Sequence, residues 1–144
     1  MIEKRGSFGF KKMKRQLKRF RGIMPKLVAE EAVNHFNAGF RKGGGQTDKS
    51  LTGWKPRKPA RTPREAQRNQ GRAILVRSGA MRSDIKARTI TPRKIVVNVI
   101  HIPYAGFHNE GSGKIPQREF IGHSRVLRAK TRRLIDQQLK RIGI

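Results

Sequence analysis

Apolar residues return every three or four positions near the start of the chain. Phe10, Met13, Leu17 and Phe20 form the series, and Lys and Arg fill most positions between them. That period lays one apolar stripe along a helix, starting near Phe8 or Phe10. Gly22 and Pro25 then interrupt it. Proline suits the first turn of a helix and is costly inside one. The pattern therefore predicts a break near Gly22 and a second helix over 25–38, with Leu27, Val28, Ala32, Val33 and Phe36 on its apolar face. Gly39 is the expected stop. One long, kinked helix is the alternative.

No period of 2 or 3.6 survives between 41 and 72. Three consecutive glycines, three prolines and ten Lys or Arg residues fill this stretch, with Trp54 its single aromatic side chain. Such a segment reads as a long loop, functional or unordered by itself. Trp54 is expected to tack the loop to the core; contact with another subunit or a base is the alternative. Beyond it, 74–83 reads as a short helix or turn around Ser78-Gly79. Residues 85–90 alternate apolar and basic, and 94–101 are dense in β-branched residues. With Thr91-Pro92-Arg93 between them, the two runs predict a β-hairpin. Residues 104–110 read as one helical turn ending at Gly111, and 118–121 as a short extended edge. Ser124 suits the N-cap of a last helix whose apolar positions are Leu127, Leu134, Ile135, Leu139 and Ile142.

The predicted class is α+β: N-terminal helices, a small antiparallel β-sheet with a long basic loop, and a C-terminal helix packed on the sheet. A chain of 144 residues fits one domain. Its parts are a helical 1–40, the loop 41–73, a hairpin and motif region 74–122, and the C-terminal helix 123–144.

Charge changes the picture most. There are 35 basic and 9 acidic residues, a formal net charge of +26. Self-repulsion of that size calls for a polyanion or acidic protein neighbours. The candidate contacts are Lys11, Lys12, Arg15, Lys18 and Arg19 on the first helix, Arg57, Lys58 and Arg61 in the loop, and Arg125, Arg128, Arg132 and Arg133 on the last helix. The aromatic residues are too sparse for a sheet that stacks bases. No cysteine is present, which excludes disulfides and thiolate metal sites. The four histidines lack ligand spacing, so no metal or other cofactor is expected. No apolar run reaches the roughly 18 residues of a membrane span, and no secretory signal is expected. Carboxylates are scattered, and only His108 and Glu110 stand close enough to suggest acid–base chemistry. A structural role is expected for that pair, and no catalytic residue is assigned.

Four short motifs follow one another along the chain from Gly53. They are Gly53-Trp54-Lys55-Pro56; Ile74-Leu75-Val76-Arg77-Ser78-Gly79-Ala80-Met81-Arg82; Tyr104-Ala105-Gly106-Phe107-His108-Asn109-Glu110-Gly111; and Ile115-Pro116-Gln117-Arg118-Glu119-Phe120-Ile121-Gly122. In this order they resemble the tailed-phage virion morphogenesis family, the tail completion and head–tail joining proteins. The resemblance covers about half the chain, from Gly53 to Ser124. It implies a small α+β subunit of a homo-oligomeric ring, six copies expected and twelve the alternative. Portal or connector, tail-tube and tail-terminator proteins would be its neighbours, with a non-specific contact to packaged DNA. It implies a place in the neck or tail of a virion, after assembly in the host cytoplasm. It marks Trp54, Ser78, Gly79, Tyr104, Ala105, His108, Gly111, Ile115, Pro116, Arg118, Phe120 and Gly122 as structural or interface positions. Gly111 and Gly122 are expected at positive φ, and Arg118 in a bidentate pair with a carboxylate. The alternative function is a small basic nucleic-acid-binding protein, ribosomal or nucleoid-like. A hydrolase using His108 and Glu110 is a distant third.

Overall fold

The structure, a computed structural model, describes residues 9–143. One helix dominates it. Helix α1 (Phe10–Lys42) runs unbroken for 33 residues, about 50 Å at 1.5 Å per residue. The expected break at Gly22 and the stop at Gly39 are therefore corrected. Pro25 lies inside the helix, so the Arg21 carbonyl loses its donor four residues on. Arg21 is exposed, where water can serve that carbonyl. Met24, Ala29 and Ala32, on either side of the imino acid, are buried, and their packing outweighs the local cost. The helix ends at Gly43, which takes the left-handed conformation (φ 74°) and sends its N–H to the Gly39 carbonyl. Gly39 itself serves close approach: a Cβ there would lie 3.0 Å from Gln46 Cγ. The part of the expected first helix before residue 9 lies outside the described residues.

The antiparallel hairpin follows its prediction, with β1 (Lys86–Ile90) paired to β2 (Ile95–Asn98). A bulge between Ala87 and Thr89 was not foreseen. It leaves Arg88 without a cross-strand partner, and its guanidinium reaches Asp84 Oδ1 (2.9 Å) and Asn98 Oδ1 (3.3 Å) instead. Between the long helix and the hairpin lie α2 (Pro63–Asn69) and α3 (Ala80–Ser83); after the hairpin come α4 (Ala105–Glu110) and α5 (Arg125–Arg141). Ser124 caps α5 by accepting the Leu127 N–H, as expected. Residues 118–121 form no strand. The class is α+β. Its layering is centred on α1, against which both the hairpin and α5 pack, so α1 is the main support of the C-terminal helix as well as of the sheet.

The loop 41–72 is the largest departure. Its first half belongs to the core. Gly43 O accepts the Trp54 N–H at 2.7 Å, which closes 43–54 into a compact loop. Thr47 inside it is 0 % exposed, and Gln46 and Ser50 are buried too. Thr47 Oγ1 and Ser50 Oγ lie 2.8 Å apart, and a short 3-10 turn (Asp48–Ser50) completes the hairpin of chain. Polar side chains and glycine geometry order this loop, which a count of apolar residues could not register. The second half contains α2, capped by Thr62 Oγ1 accepting the Glu65 N–H at 3.2 Å. The signal for it was present: Thr62-Pro63-Arg64-Glu65 has the Thr-x-x-Glu spacing of a capping box with proline at the first helical position.

Candidate functional site

Phe40, at the end of α1, is 0 % exposed and lies under Trp54 and Phe120. Its ring meets Trp54 edge-on at 5.4 Å between centroids and Phe120 at 5.6 Å. Phe36, Met81, Ile85 and Ala105 complete this core. Trp54 is 7 % exposed and donates its indole N–H to the Glu119 carbonyl at 3.0 Å. Its expected role as the anchor of the loop is what the structure has.

Arg118 is buried to 8 % exposure. Its guanidinium donates to Lys55 O (2.8 Å) and Pro56 O (3.0 Å), and its backbone N–H donates to His108 O (2.8 Å). The carboxylate expected for its fork is replaced by two carbonyls. Asn109 reads the backbone of the last motif: Oδ1 accepts the Phe120 and Ile121 N–H groups, and Nδ2 donates to Ile121 O. The motif had left Asn109 as a free position. Its signal was its chemistry, since one amide side chain can satisfy a donor and an acceptor together.

The glycines divide by cause. Gly79 (φ 79°) precedes α3, whose Ala80 N–H is accepted by Ser78 Oγ at 3.3 Å. Gly111 is at φ 79°, with Gln117 about 3.1 Å from where a Cβ would stand. Gly122 is not among the positive-φ residues, which corrects that expectation. A Cβ there would overlap the buried Glu119 carboxyl instead. Gly44 combines both demands, with φ 107° and a would-be Cβ 2.7 Å from Trp54 N. Ile115 is exposed and closes a tight turn by exchanging backbone bonds with Ser112. Pro116 follows it in the wall of a groove.

His108 lies on α4. Its Nδ1 is buried without a hydrogen-bond partner, and its ring stands edge-on to Tyr104 at 6.1 Å. Burial lowers its pKa, and the Arg118 charge lowers it further. Glu110, two residues on, cannot share its face of the helix. Arg118 is itself lowered from its ordinary value by burial and then by Arg57.

Sequence reasoning missed one cluster altogether. Asp84 Oδ2 accepts the Ile100 and His101 N–H groups at 2.7 and 2.8 Å. Its Oδ1 faces His101 Nδ1 at 2.7 Å and the Arg88 guanidinium at 2.9 Å. These bonds, those of His101 first, hold its carboxyl well below the usual range.

The basic candidates remain apart. Lys11, Lys12, Arg15, Lys18 and Arg19 are exposed along the first half of α1, Lys58 and Arg61 are exposed in the loop, and Arg125, Arg128, Arg132 and Arg133 are exposed on α5. Arg57 is half-buried and donates to Arg72 O (2.9 Å) and Ala73 O (2.6 Å). No group of His, Cys, Asp or Glu that could hold a metal occurs among the described residues, and none of their helices is long and apolar enough to cross a membrane. Compared with protein-family models, curated proteins and solved structures, the chain matches none.

Proposed function

We propose that the chain is a structural protein of a tailed-phage virion, one subunit of a ring at the head–tail interface that joins the tail to the DNA-filled head. The supporting observation is the convergence of all four motifs on one knot. Trp54 and Lys55 of the first motif bond Glu119 and Arg118 of the fourth. His108 and Asn109 of the third bond Arg118, Phe120 and Ile121 of the fourth. Met81 of the second packs in the same core. Segments that share one structural job can be expected to travel together as a pattern.

A second observation favours an assembly. Ile100 and Phe107, both exposed, fall within one short stretch beside that knot. Ring neighbours would cover such apolar residues. On this reading His108 and Glu110 serve assembly and no reaction.

The test is native mass spectrometry of the purified chain, combined with electron microscopy of particles made with and without it. A closed oligomer of six copies is expected, with filled heads and separate tails where the chain is missing. A monomer at every concentration, with normally joined particles in its absence, would overturn the proposal.

A further inference from the structure

Two cavities adjoin beside the knot. One, of about 530 Å³, is lined by Arg57, Arg68, Arg72, Arg77 and Arg118, with Tyr104 on its wall. The other, of about 810 Å³, shares Arg57, His108 and Arg118 and adds Lys55, Lys58 and Lys114. Together they form one groove. Glu65 is its single carboxylate, and one oxygen of Glu65 accepts the Arg61 N–H.

None of these cations takes part in an ion pair. The pairs among the described residues use Lys49, Arg88, His101, Arg125 and Lys130. Yet two of the groove's guanidiniums are held in place. Arg118 is buried and fixed on two carbonyls, and Arg57 is fixed on two others. The two charges repel, since Arg57 contributes to lowering the Arg118 pKa. A buried cation without a counter-charge is costly, and two side by side cost more. Held rigidly, they bind an anion with little further loss of side-chain freedom.

We infer that this groove binds the phosphodiester backbone of a nucleic acid, without reading its sequence. Three features favour that occupant over an acidic peptide. The cations extend through both cavities, which suits a chain with one charge on every unit. The five cations of the first cavity are all arginine, whose planar fork matches two phosphate oxygens. Tyr104, exposed on the wall, offers a ring to a base. Burying the groove under such a strand would relieve the repulsion between Arg57 and Arg118. The inference holds whether or not the chain forms a ring at the head–tail interface.

The test must separate the groove from a charge of +26 spread over the whole chain. Two triple variants do so at equal charge: Arg68→Gln/Arg72→Gln/Arg77→Gln in the groove, and Arg128→Gln/Arg132→Gln/Arg133→Gln on α5. Neither removes a side chain with a hydrogen bond or ion pair in the fold, and circular dichroism melts verify that both fold. Fluorescence anisotropy is measured with a labelled single strand and with a duplex of the same sequence, over a range of salt. The groove variant is expected to bind at least tenfold more weakly. Its salt slope should fall by about 2–3, three contacts at roughly 0.7–0.9 each. The α5 variant should change less than threefold. The arm with the larger loss identifies a single strand or a duplex as the source of the phosphates. Equal losses in the two variants would overturn the inference. So would competition by polyglutamate as effective, charge for charge, as that by the oligonucleotide.

Discussion

At the residue scale, single side chains hold distant segments together, and each bond exposes a specific weakness. Trp54 both fills the core and ties the loop to residue 119. Trp54→Phe keeps most of the packing and leaves the Glu119 carbonyl without its donor. The expected cost is about 1–3 kcal/mol, read from urea denaturation. An unchanged midpoint would show that the indole N–H contributes nothing. Asp84 makes a pH statement. Its carboxyl is held below the ordinary 3.8 by His101, the backbone and Arg88. A depressed carboxyl stabilises the fold above its unfolded value, and that stabilisation is lost as pH falls through the folded value. Asp84→Asn is therefore expected to melt lower at pH 7 and to show a flatter acid limb below pH 3.8. Acid limbs of equal steepness in the two proteins would refute the role. Sequence alone could not single out Asp84, because all partners of its carboxyl but Arg88 lie on Ile100 and His101, sixteen and seventeen positions away.

At the element scale, α1 shows where local propensity yields. Gly22 and Pro25 argued for a break, and burial of Met24, Ala29 and Ala32 overrode them. The cost of the proline persists in the folded protein. Pro25→Ala restores one helical hydrogen bond and removes a clash, and is expected to stabilise by up to about 3 kcal/mol. Thermal melts check this; a lower melting temperature would mean that Pro25 sets a bend which the hairpin and α5 require. The compact loop 43–54 shows the opposite case. Its order comes from glycines at positive φ and from buried Gln46, Thr47 and Ser50. Its removal is thus expected to destabilise the fold.

At the scale of the whole molecule, His35 joins α1, the compact loop and α5. Its Nε2 lies 2.7 Å from Gln46 O and 3.0 Å from Ser124 Oγ, and Nδ1 lies 3.4 Å from Lys130 Nζ. Nε2–H donates to the carbonyl, which leaves Nδ1 to accept from the ammonium. Burial is the largest cause lowering its pKa below 6.5, and Lys130 adds to it. A base with a lowered folded pKa stabilises the fold fully above 6.5. That contribution is lost as pH falls from 6.5 towards the folded value. The melting temperature is expected to drop on acidification through this window. His35→Gln should flatten the dependence and leave the part due to His108, which is lowered as well. Identical pH profiles would remove His35 from the account.

The sequence by itself determined the α+β class, the hairpin, a short helix or turn within 74–83, a helical turn within 104–110, the Ser124 cap and the anchoring of Trp54. Each rests on a period, a cap or a turn contained in a few neighbouring residues. Tertiary structure alone decided that α1 is continuous, that half the loop is core, that Arg118 pairs with carbonyls, and that Gly122 avoids the Glu119 side chain. It also decided which basic residues line one groove. These outcomes depend on what lies across the fold from each residue: buried area that outweighs a proline, a carbonyl 63 positions away, a guanidinium beside another guanidinium. Local pattern carries no record of such neighbours, because the physics that selects them begins only when the chain has closed on itself.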